Sequence, residues 1–141
     1  MALLRRDARV DLLRRVPLLA RCSAGDLRQL AGVAEELDYK PGKVVIREGD
    51  RKPRDFFMLL AGEAEVLRGD RKVGQLRAGD FFGEVAMLTH EPRNATVVTT
   101  APTRALVVRE RDFVPLLKRN PAMAVRLMEA LAQRLRPTPQ D

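Results

Sequence analysis

The stretch from residue 79 to residue 97, GDFFGEVAMLTHEPRNATV, decides how the rest of the chain is interpreted. Gly83 has no Cβ atom, so the backbone there can approach a ligand closely. Residues 84–88 suit one turn of helix, whose first N–H groups would point at an anion. Glu84 can accept hydrogen bonds from a sugar hydroxyl, and Arg93 offers a planar guanidinium that matches phosphate oxygens. The segment therefore combines the groups that are needed to hold a sugar phosphate.

This segment resembles the phosphate-binding cassette of the cyclic nucleotide-binding domain family, with glutamate, arginine, glycine and flanking apolar positions in register. The resemblance extends over about residues 9–136. Upstream matches fall at turns and strand starts: Pro41-Gly42, Arg47-Glu48-Gly49-Asp50, Phe56-Phe57-Met58, Gly62 and Gly79-Asp80. Residues 50–55 depart from the family's usual glycine-aspartate loop, and we expect this difference to alter only a loop. The resemblance implies a β jelly-roll barrel that binds cAMP or cGMP beside a C-terminal helix.

The resemblance also implies a role for each cassette residue. Glu84 would accept the ribose 2′-hydroxyl, and Arg93 would pair with the cyclic phosphate. Backbone N–H groups of the cassette would supply the remaining donors, and two strands and the last helix would contribute a base pocket. The candidate ligand-binding residues are Phe82, Gly83, Glu84, Val85, Ala86, Arg93, Asn94, Ala95, Val66, Val73 and Arg134.

Several of these residues have an alternative interpretation. The family usually has a small or hydroxyl-bearing residue directly after the arginine, and this chain has Asn94 there. Asn94 is either a ligand contact or a turn-favouring residue. Val66 and Val73 line the base pocket or belong to the core. Arg134 either stacks on the base as a cation–π contact or is a solvated helix residue. His90 lies in the cassette loop, where we expect it to face solvent.

Composition indicates a single globular domain. The chain has 141 residues, 45% of them hydrophobic, and a formal net charge of +7. No apolar run reaches membrane-spanning length and no secretory signal is visible, so we expect a cytoplasmic protein without a transmembrane segment. Cys22, the single cysteine, excludes an internal disulfide. The basic charge attracts anions, although most of the arginines fit an ordinary solvated surface equally well.

Helical patterns flank a β-rich middle, which predicts a mainly β fold with flanking helices. We expect N-terminal helices in residues 1–35, a β-roll in residues 36–109 with the cassette at 82–97, and C-terminal helices in residues 110–136. The last of these helices would close over the bound nucleotide as a lid, with Phe113, Leu116 and Leu117 acting as its hinge, as in relatives.

Individual element boundaries also follow from the sequence. The spacing of apolar residues predicts a first helix from Asp7 to Leu19, and Ser23 followed by Asp26 predicts the N-cap of a second. Strand patterns begin at Leu37, with a hairpin tip at Gly69-Asp70. At the end, Asn120 is expected to cap a helix that starts at Pro121 and stops before Pro137 and Pro139.

The residue inventory disfavours an enzyme. A jelly-roll metalloenzyme needs two or three histidine ligands, and His90 is the only histidine. No GxxxxGK[ST] phosphate loop is present. We therefore expect no catalytic residues, no metal site and no cofactor, and a ligand that is cAMP rather than cGMP.

Three functional hypotheses remain. The first is a non-catalytic cyclic-nucleotide sensor that acts on an effector domain, on an effector protein or within a homodimer. The second is a ligand-independent interaction module of the same fold, which docks a protein partner through its basic helices. The third is a regulatory part of a larger protein such as an ion channel. A helix-turn-helix domain would follow in the catabolite-activator-type relatives, and none is present, so we expect no sequence-specific DNA binding.

Overall fold

A computed structural model describes residues 6–16 and 19–134 of the chain. The helices in these ranges are α1 (Arg6–Arg14), α2 (Ala24–Val33), α3 (Glu84–Thr89), α4 (Glu110–Arg119) and α5 (Pro121–Arg134). The strands are β1 (Ala34–Tyr39), β2 (Val44–Ile46), β3 (Phe56–Ala61), β4 (Glu63–Arg68), β5 (Arg71–Arg77), β6 (Phe81–Phe82), β7 (Thr96–Thr99) and β8 (Thr103–Val108). Within the described ranges, no helix has the length and apolar character that crossing a membrane requires.

The first helix is shorter than the sequence predicts. α1 ends at Arg14, so the prediction of a helix through Leu19 is wrong beyond that residue. Pro17 explains the early end, because proline disfavours a helical conformation of the residue before it. Pro17 itself lies outside the described residues. After it, the N–H of Leu19 donates to the carbonyl of Val16 at 2.9 Å within a turn.

The second helix begins as predicted. The Ser23 hydroxyl accepts from the N–H of Asp26 at 3.1 Å, and the Asp26 carboxylate accepts from the N–H of Ser23 at 3.0 Å. This reciprocal pair is a capping box, which satisfies two N–H groups at the helix start. The chain passes from α2 directly into β1, so the first strand begins at Ala34, earlier than the predicted Leu37.

The β-rich middle forms two antiparallel four-stranded sheets. Their strand orders are β1-β8-β3-β6 and β2-β7-β4-β5. The predicted hairpin tip at Gly69-Asp70 is confirmed, since it joins β4 to β5. The mainly β prediction with flanking helices is also confirmed, but the two sheets are not closed into one barrel.

β3 carries the core because both of its faces are buried. Successive side chains of a strand point to opposite faces, so Phe56 packs with the helices and Phe57 packs between the sheets. Phe56 stacks on Phe113 of α4 with ring centroids 5.8 Å apart. Phe57 stacks on Phe82 at 4.8 Å. The first candidate residue of the cassette is therefore anchored on the central strand.

The last helix starts where the sequence places it. The side-chain oxygen of Asn120 accepts from the N–H of Met123 at 3.1 Å, and Pro121 is the first helical residue. Asn120 is therefore the predicted N-cap. The predicted end of this helix at Pro137 and Pro139 lies outside the described residues.

Candidate functional site

A cavity of about 360 Å³ lies between the β4–β5 hairpin and the residues that lead from β6 to β7. Its volume is in the range of small-molecule sites, about 300–1,000 Å³. The structure brings together around it all the candidate residues but one: Phe82, Gly83, Glu84, Val85, Ala86, Arg93, Asn94, Ala95, Val66 and Val73. The exception is Arg134, the last described residue of α5, whose side chain lies outside the described part of the chain, so its role over the base stays a prediction.

Gly83 is required by its surroundings. Its φ is +90°, a conformation that residues with a side chain rarely adopt. A Cβ atom there would lie 2.7 Å from the backbone oxygen of Asp55 and 3.0 Å from Nη1 of Arg93. The sequence predicts a glycine that lets a ligand approach the backbone. The structure shows that this glycine also makes room for the protein's own loop and arginine.

Arg93 is held by backbone carbonyls. Its Nη1 donates to Gly83 O at 3.0 Å, and its Nη2 donates to Pro53 O at 2.9 Å and to Asp55 O at 3.0 Å. Only 4% of the residue is exposed. An arginine has five N–H donors, so the Nε–H and one N–H of Nη1 remain for an anion in the cavity. The three bonds fix the orientation of the guanidinium.

The site places the cation of Arg93 close to several carboxylates. Burial lowers the pKa of Arg93, and the negative charges of Asp55, Asp50 and Glu84 act in the opposite direction. The guanidinium nevertheless stays protonated at any physiological pH. Glu84 is half-buried at the start of α3 and its side chain has no hydrogen-bond partner among the described residues, so its carboxylate is available to accept bonds from a ligand hydroxyl.

The loop of residues 50–55 is part of the site. The N–H of Arg93 donates to Asp50 O at 2.8 Å, and the N–H of Gly49 donates to Arg93 O at 2.9 Å. Pro53 and Asp55 supply two of the three carbonyls that hold the guanidinium. The backbone of this loop therefore positions the principal cation of the cavity, and the expectation that its unusual sequence alters only a loop stays a prediction.

The same loop is tied to α4. The Asp55 carboxylate accepts from Nη1 of Arg109 at 3.2 Å and from the N–H of Glu110 at 3.3 Å. Arg54 donates to both carboxylate oxygens of Glu110, at 2.9 and 3.1 Å. A continuous set of polar contacts thus joins Arg93 to the beginning of the C-terminal helices.

For four residues the structure bears on the alternative roles that the sequence leaves open. Val73 is 47% exposed and lines the cavity, which does not fit a core residue. Val66 lines the cavity and also packs against the cluster between the sheets. Asn94 is exposed at the cavity and has no hydrogen-bond partner among the described residues. His90 is exposed at the C-terminal end of α3 and does not line the cavity.

Two polar residues of the cavity escape the sequence analysis. Arg68 and Gln75 line the cavity from β4 and β5. The signal that could have found Arg68 is the period of two along β4, which places it on the same face as Ala64 and Val66. The period assigns residues to two faces of the hairpin, but it does not tell which face lines the cavity.

Comparisons with known proteins agree with this geometry. The profile of the cyclic nucleotide-binding domain matches residues 36–120. The chain belongs to this family. It is 37% identical over 115 residues to a cAMP-dependent protein kinase regulatory subunit of Pyricularia oryzae, which covers 80% of this chain and 29% of the relative. The first five curated relatives are regulatory subunits of this kind, and the chain spans 21% to 29% of their length.

Solved structures share the fold. PKAR CBD2 with bound Sp-2Cl-cAMPS superposes with a TM-score of 0.74 at 25% identity, over 90% of this chain and 91% of that one. The N-terminal domain of a transcriptional regulator from Streptomyces coelicolor gives a TM-score of 0.77 at 25% identity, over 89% and 90% of the two chains. The jelly-roll arrangement predicted from the sequence is thereby confirmed.

Proposed function

We propose that this chain is a non-catalytic sensor that binds a cyclic nucleotide, with cAMP favoured over cGMP, in the cavity between the β4–β5 hairpin and the cassette. The observation that carries this proposal is the convergence of Glu84, Gly83 and the oriented guanidinium of Arg93 on one cavity of about 360 Å³. The preference for cAMP rests on the relatives, whose name is cAMP-dependent protein kinase regulatory subunit.

Each part of the ligand has a matching group. The cyclic phosphate pairs with the remaining N–H groups of Arg93, and the Glu84 carboxylate accepts the ribose 2′-hydroxyl. The base lies along the hairpin, where Val66, Val73 and Gly74 offer an apolar wall. No nucleophile takes part in this binding mode, so the proposed function is binding and not catalysis.

The movable element in this proposal is α5. Val125 and Met128 of this helix are 46% and 59% exposed, so an apolar surface is available to cover the base. The path from Arg93 through Asp55 to Arg109 links the phosphate position to α4, which precedes α5. Binding then acts on an effector domain or protein partner by changing the position of α5. Saturating cAMP should slow backbone hydrogen exchange in α5, and unchanged exchange there would exclude the lid.

A second candidate is a module that docks a protein partner without any ligand. One observation favours it: the three carbonyl contacts of Arg93 give this arginine a role in the fold that needs no nucleotide.

We also propose a cytoplasmic location, which the unpaired thiol of Cys22 and the kinase regulatory relatives support.

The test is a calorimetric titration of cAMP into the wild type and into Glu84→Gln. The Glu84 side chain makes no hydrogen bond or ion pair with the described residues, so the substitution should change the thermal stability only slightly, through its charge in the first turn of α3 and near Arg93. Glutamine keeps an acceptor oxygen but not the negative charge, so binding should weaken by about 1–1.5 kcal/mol, the difference between a charge-assisted and a neutral hydrogen bond, which is on the order of five- to tenfold. Glu91→Gln is the matched control, because Glu91 is exposed nearby and does not line the cavity. Equal affinities for the wild type and Glu84→Gln would reject the assigned site.

A further inference from the structure

Arg68, the last residue of β4, lines the cavity. Along this strand, Ala64 is buried between the sheets and Val66 packs against the same cluster. Side chains two residues apart share a strand face, so Arg68 is on the face of Ala64 and Val66. The extra residue of the β4–β5 pairing is on β5, since Val66 pairs with Gly74 and Leu67 pairs with Lys72, so the alternation along β4 is undisturbed. Arg68 accordingly lines the cavity.

The side chain of Gln75, the other polar residue with which the hairpin lines the cavity, is already engaged. Gln75 accepts from Nζ of Lys72 at 2.8 Å and donates from Nε2 to Glu63 at 3.1 Å, so both ends of its amide are occupied. Arg93, which lies between α3 and β7, donates three of its N–H groups to backbone carbonyls. The backbone of Arg68 pairs with Arg71 in the sheet, but its side chain makes no hydrogen bond or ion pair with any residue in the ranges 6–16 and 19–134. Its donors are therefore available to a ligand.

The position of Arg68 relates it to the base of a bound nucleotide. The inference rests on the proposed function, in which Arg93 takes the phosphate and the hairpin residues Val66 and Val73 flank the base. Arg68 follows Val66 on the same strand face, at the hairpin end of the cavity. A guanidinium only donates hydrogen bonds, so it recognises a base edge that carries acceptors.

We propose that Arg68 is a specificity-determining residue that contacts the purine edge and strengthens the binding of cGMP more than that of cAMP. Guanine presents two adjacent acceptors, O6 and N7, which an arginine can engage together. Adenine presents N7 beside an amino group, which is itself a donor and offers a guanidinium a single acceptor. Arg68 thus narrows the margin by which the cavity favours cAMP.

The test compares the ratio of the two dissociation constants, Kd for cGMP over Kd for cAMP, in four proteins. In Arg68→Ala we expect this ratio to rise about five- to tenfold, the lower part of the range for a bidentate arginine–guanine contact, because Arg68 is exposed to water. Arg68→Lys keeps the charge but loses the planar fork, so its ratio should also rise. Arg71→Ala is the matched control, since Arg71 is the cross-strand partner of Arg68 and does not line the cavity.

The possible results separate this inference from the proposed function. A ratio that rises in both Arg68 variants and stays constant in Arg71→Ala supports base recognition. Equal weakening of both nucleotides in Arg68→Ala, or a ratio that changes as much in Arg71→Ala, overturns it, because either result indicates a general effect of charge. A wild type that binds neither nucleotide rejects the proposed function itself and Arg68 recognition with it.

Discussion

The guanidinium of Arg93 donates to the carbonyl oxygen of Gly83 at 3.0 Å, so the basic end of the cassette is bound to its beginning. The same guanidinium reaches Pro53 and Asp55, and through Asp55 the contacts continue to Arg109 at the start of α4. The side chain of Arg93 therefore connects the cavity wall to a neighbouring loop, and this loop in turn contacts the start of the C-terminal helices.

Replacement of Gly83 by alanine should disrupt this arrangement. The new Cβ would lie 2.7 Å from Asp55 O, and the φ of +90° would be strained for any side chain. A left-handed backbone alone costs about 1–2 kcal/mol, so Gly83→Ala should lower the free energy of unfolding by at least that amount. Urea denaturation measures it. Gly74→Ala is the control, since its Cβ would come no closer than 3.7 Å to Val66, and a stability loss as large as that of Gly83→Ala would contradict the steric argument.

Arg93 should contribute to stability as well as to binding. Arg93→Ala would leave the carbonyls of Gly83, Pro53 and Asp55 without this donor, and a buried unsatisfied polar group costs about 1–3 kcal/mol. We expect thermal denaturation in the absence of nucleotide at a clearly lower temperature than for the wild type. Arg111→Ala, at an exposed position of α4, should unfold like the wild type. Unchanged stability of Arg93→Ala would show that the three contacts do not support the fold.

The stability of the protein should fall in acid through Asp26, which is 4% exposed. Burial alone would raise the pKa of Asp26, but hydrogen bonds from Ser23 and Asn120 together with the charge of Arg126 outweigh it and lower the pKa below 3.8. A carboxyl group whose folded-state pKa is lowered stabilises the fold fully above its unfolded-state pKa. This contribution disappears as the pH falls through the folded-state value.

Asp26→Asn isolates this effect. Above pH 3.8 the variant should be less stable than the wild type by about 1.5–3 kcal/mol, the range for hydrogen bonds to a charged group, and the difference should shrink at lower pH. Urea unfolding across this pH range measures it, with Asp70→Asn in the exposed hairpin tip as the control. A difference that is constant with pH would show that the charge of Asp26 is not responsible.

The thiol of Cys22 should react slowly at neutral pH. The pKa of Cys22 is raised from 9.0 to about 11, chiefly by burial and also by the charge of Asp26, while Arg126 acts in the opposite direction. The thiolate is the reactive form, so alkylation by iodoacetamide should increase with pH up to about pH 11. Asp26→Asn should accelerate the reaction at a given pH below that value. A midpoint at the ordinary pKa of 9.0 in the wild type would contradict the burial of this thiol.

Much of the fold follows from local signals in the sequence. The capping box at Ser23, the hairpin tip at Gly69-Asp70 and the N-cap at Asn120 are each determined by residues within a few positions. The end of α1 at Arg14 does not follow from the apolar spacing, which continues past Pro17. Closure of a barrel depends on how strands pair across the whole domain, and no local pattern reports it.

The candidate site likewise contains residues that the sequence identifies and residues that it does not. The cassette is contiguous in sequence, so a sequence motif is enough to identify its residues. The sequence does not identify the loop at Pro53 and Asp55 as part of the site, because this loop acts through backbone carbonyls, which every residue type has. It does not identify Arg68 either, because the position of this residue at the cavity depends on which face of the hairpin turns towards it.

The central claim is that the cavity beside Arg93 binds a cyclic nucleotide, and calorimetric titration of the wild type tests it most directly. cAMP and cGMP should each give saturable binding with a stoichiometry near one, and 5′-AMP, whose phosphate is not closed into a ring, should bind much more weakly. At a hundredfold excess over its Kd, cAMP should also stabilise the fold by about 2.7 kcal/mol. No binding heat and no thermal stabilisation from either cyclic nucleotide would contradict the account and leave the ligand-independent docking module in its place.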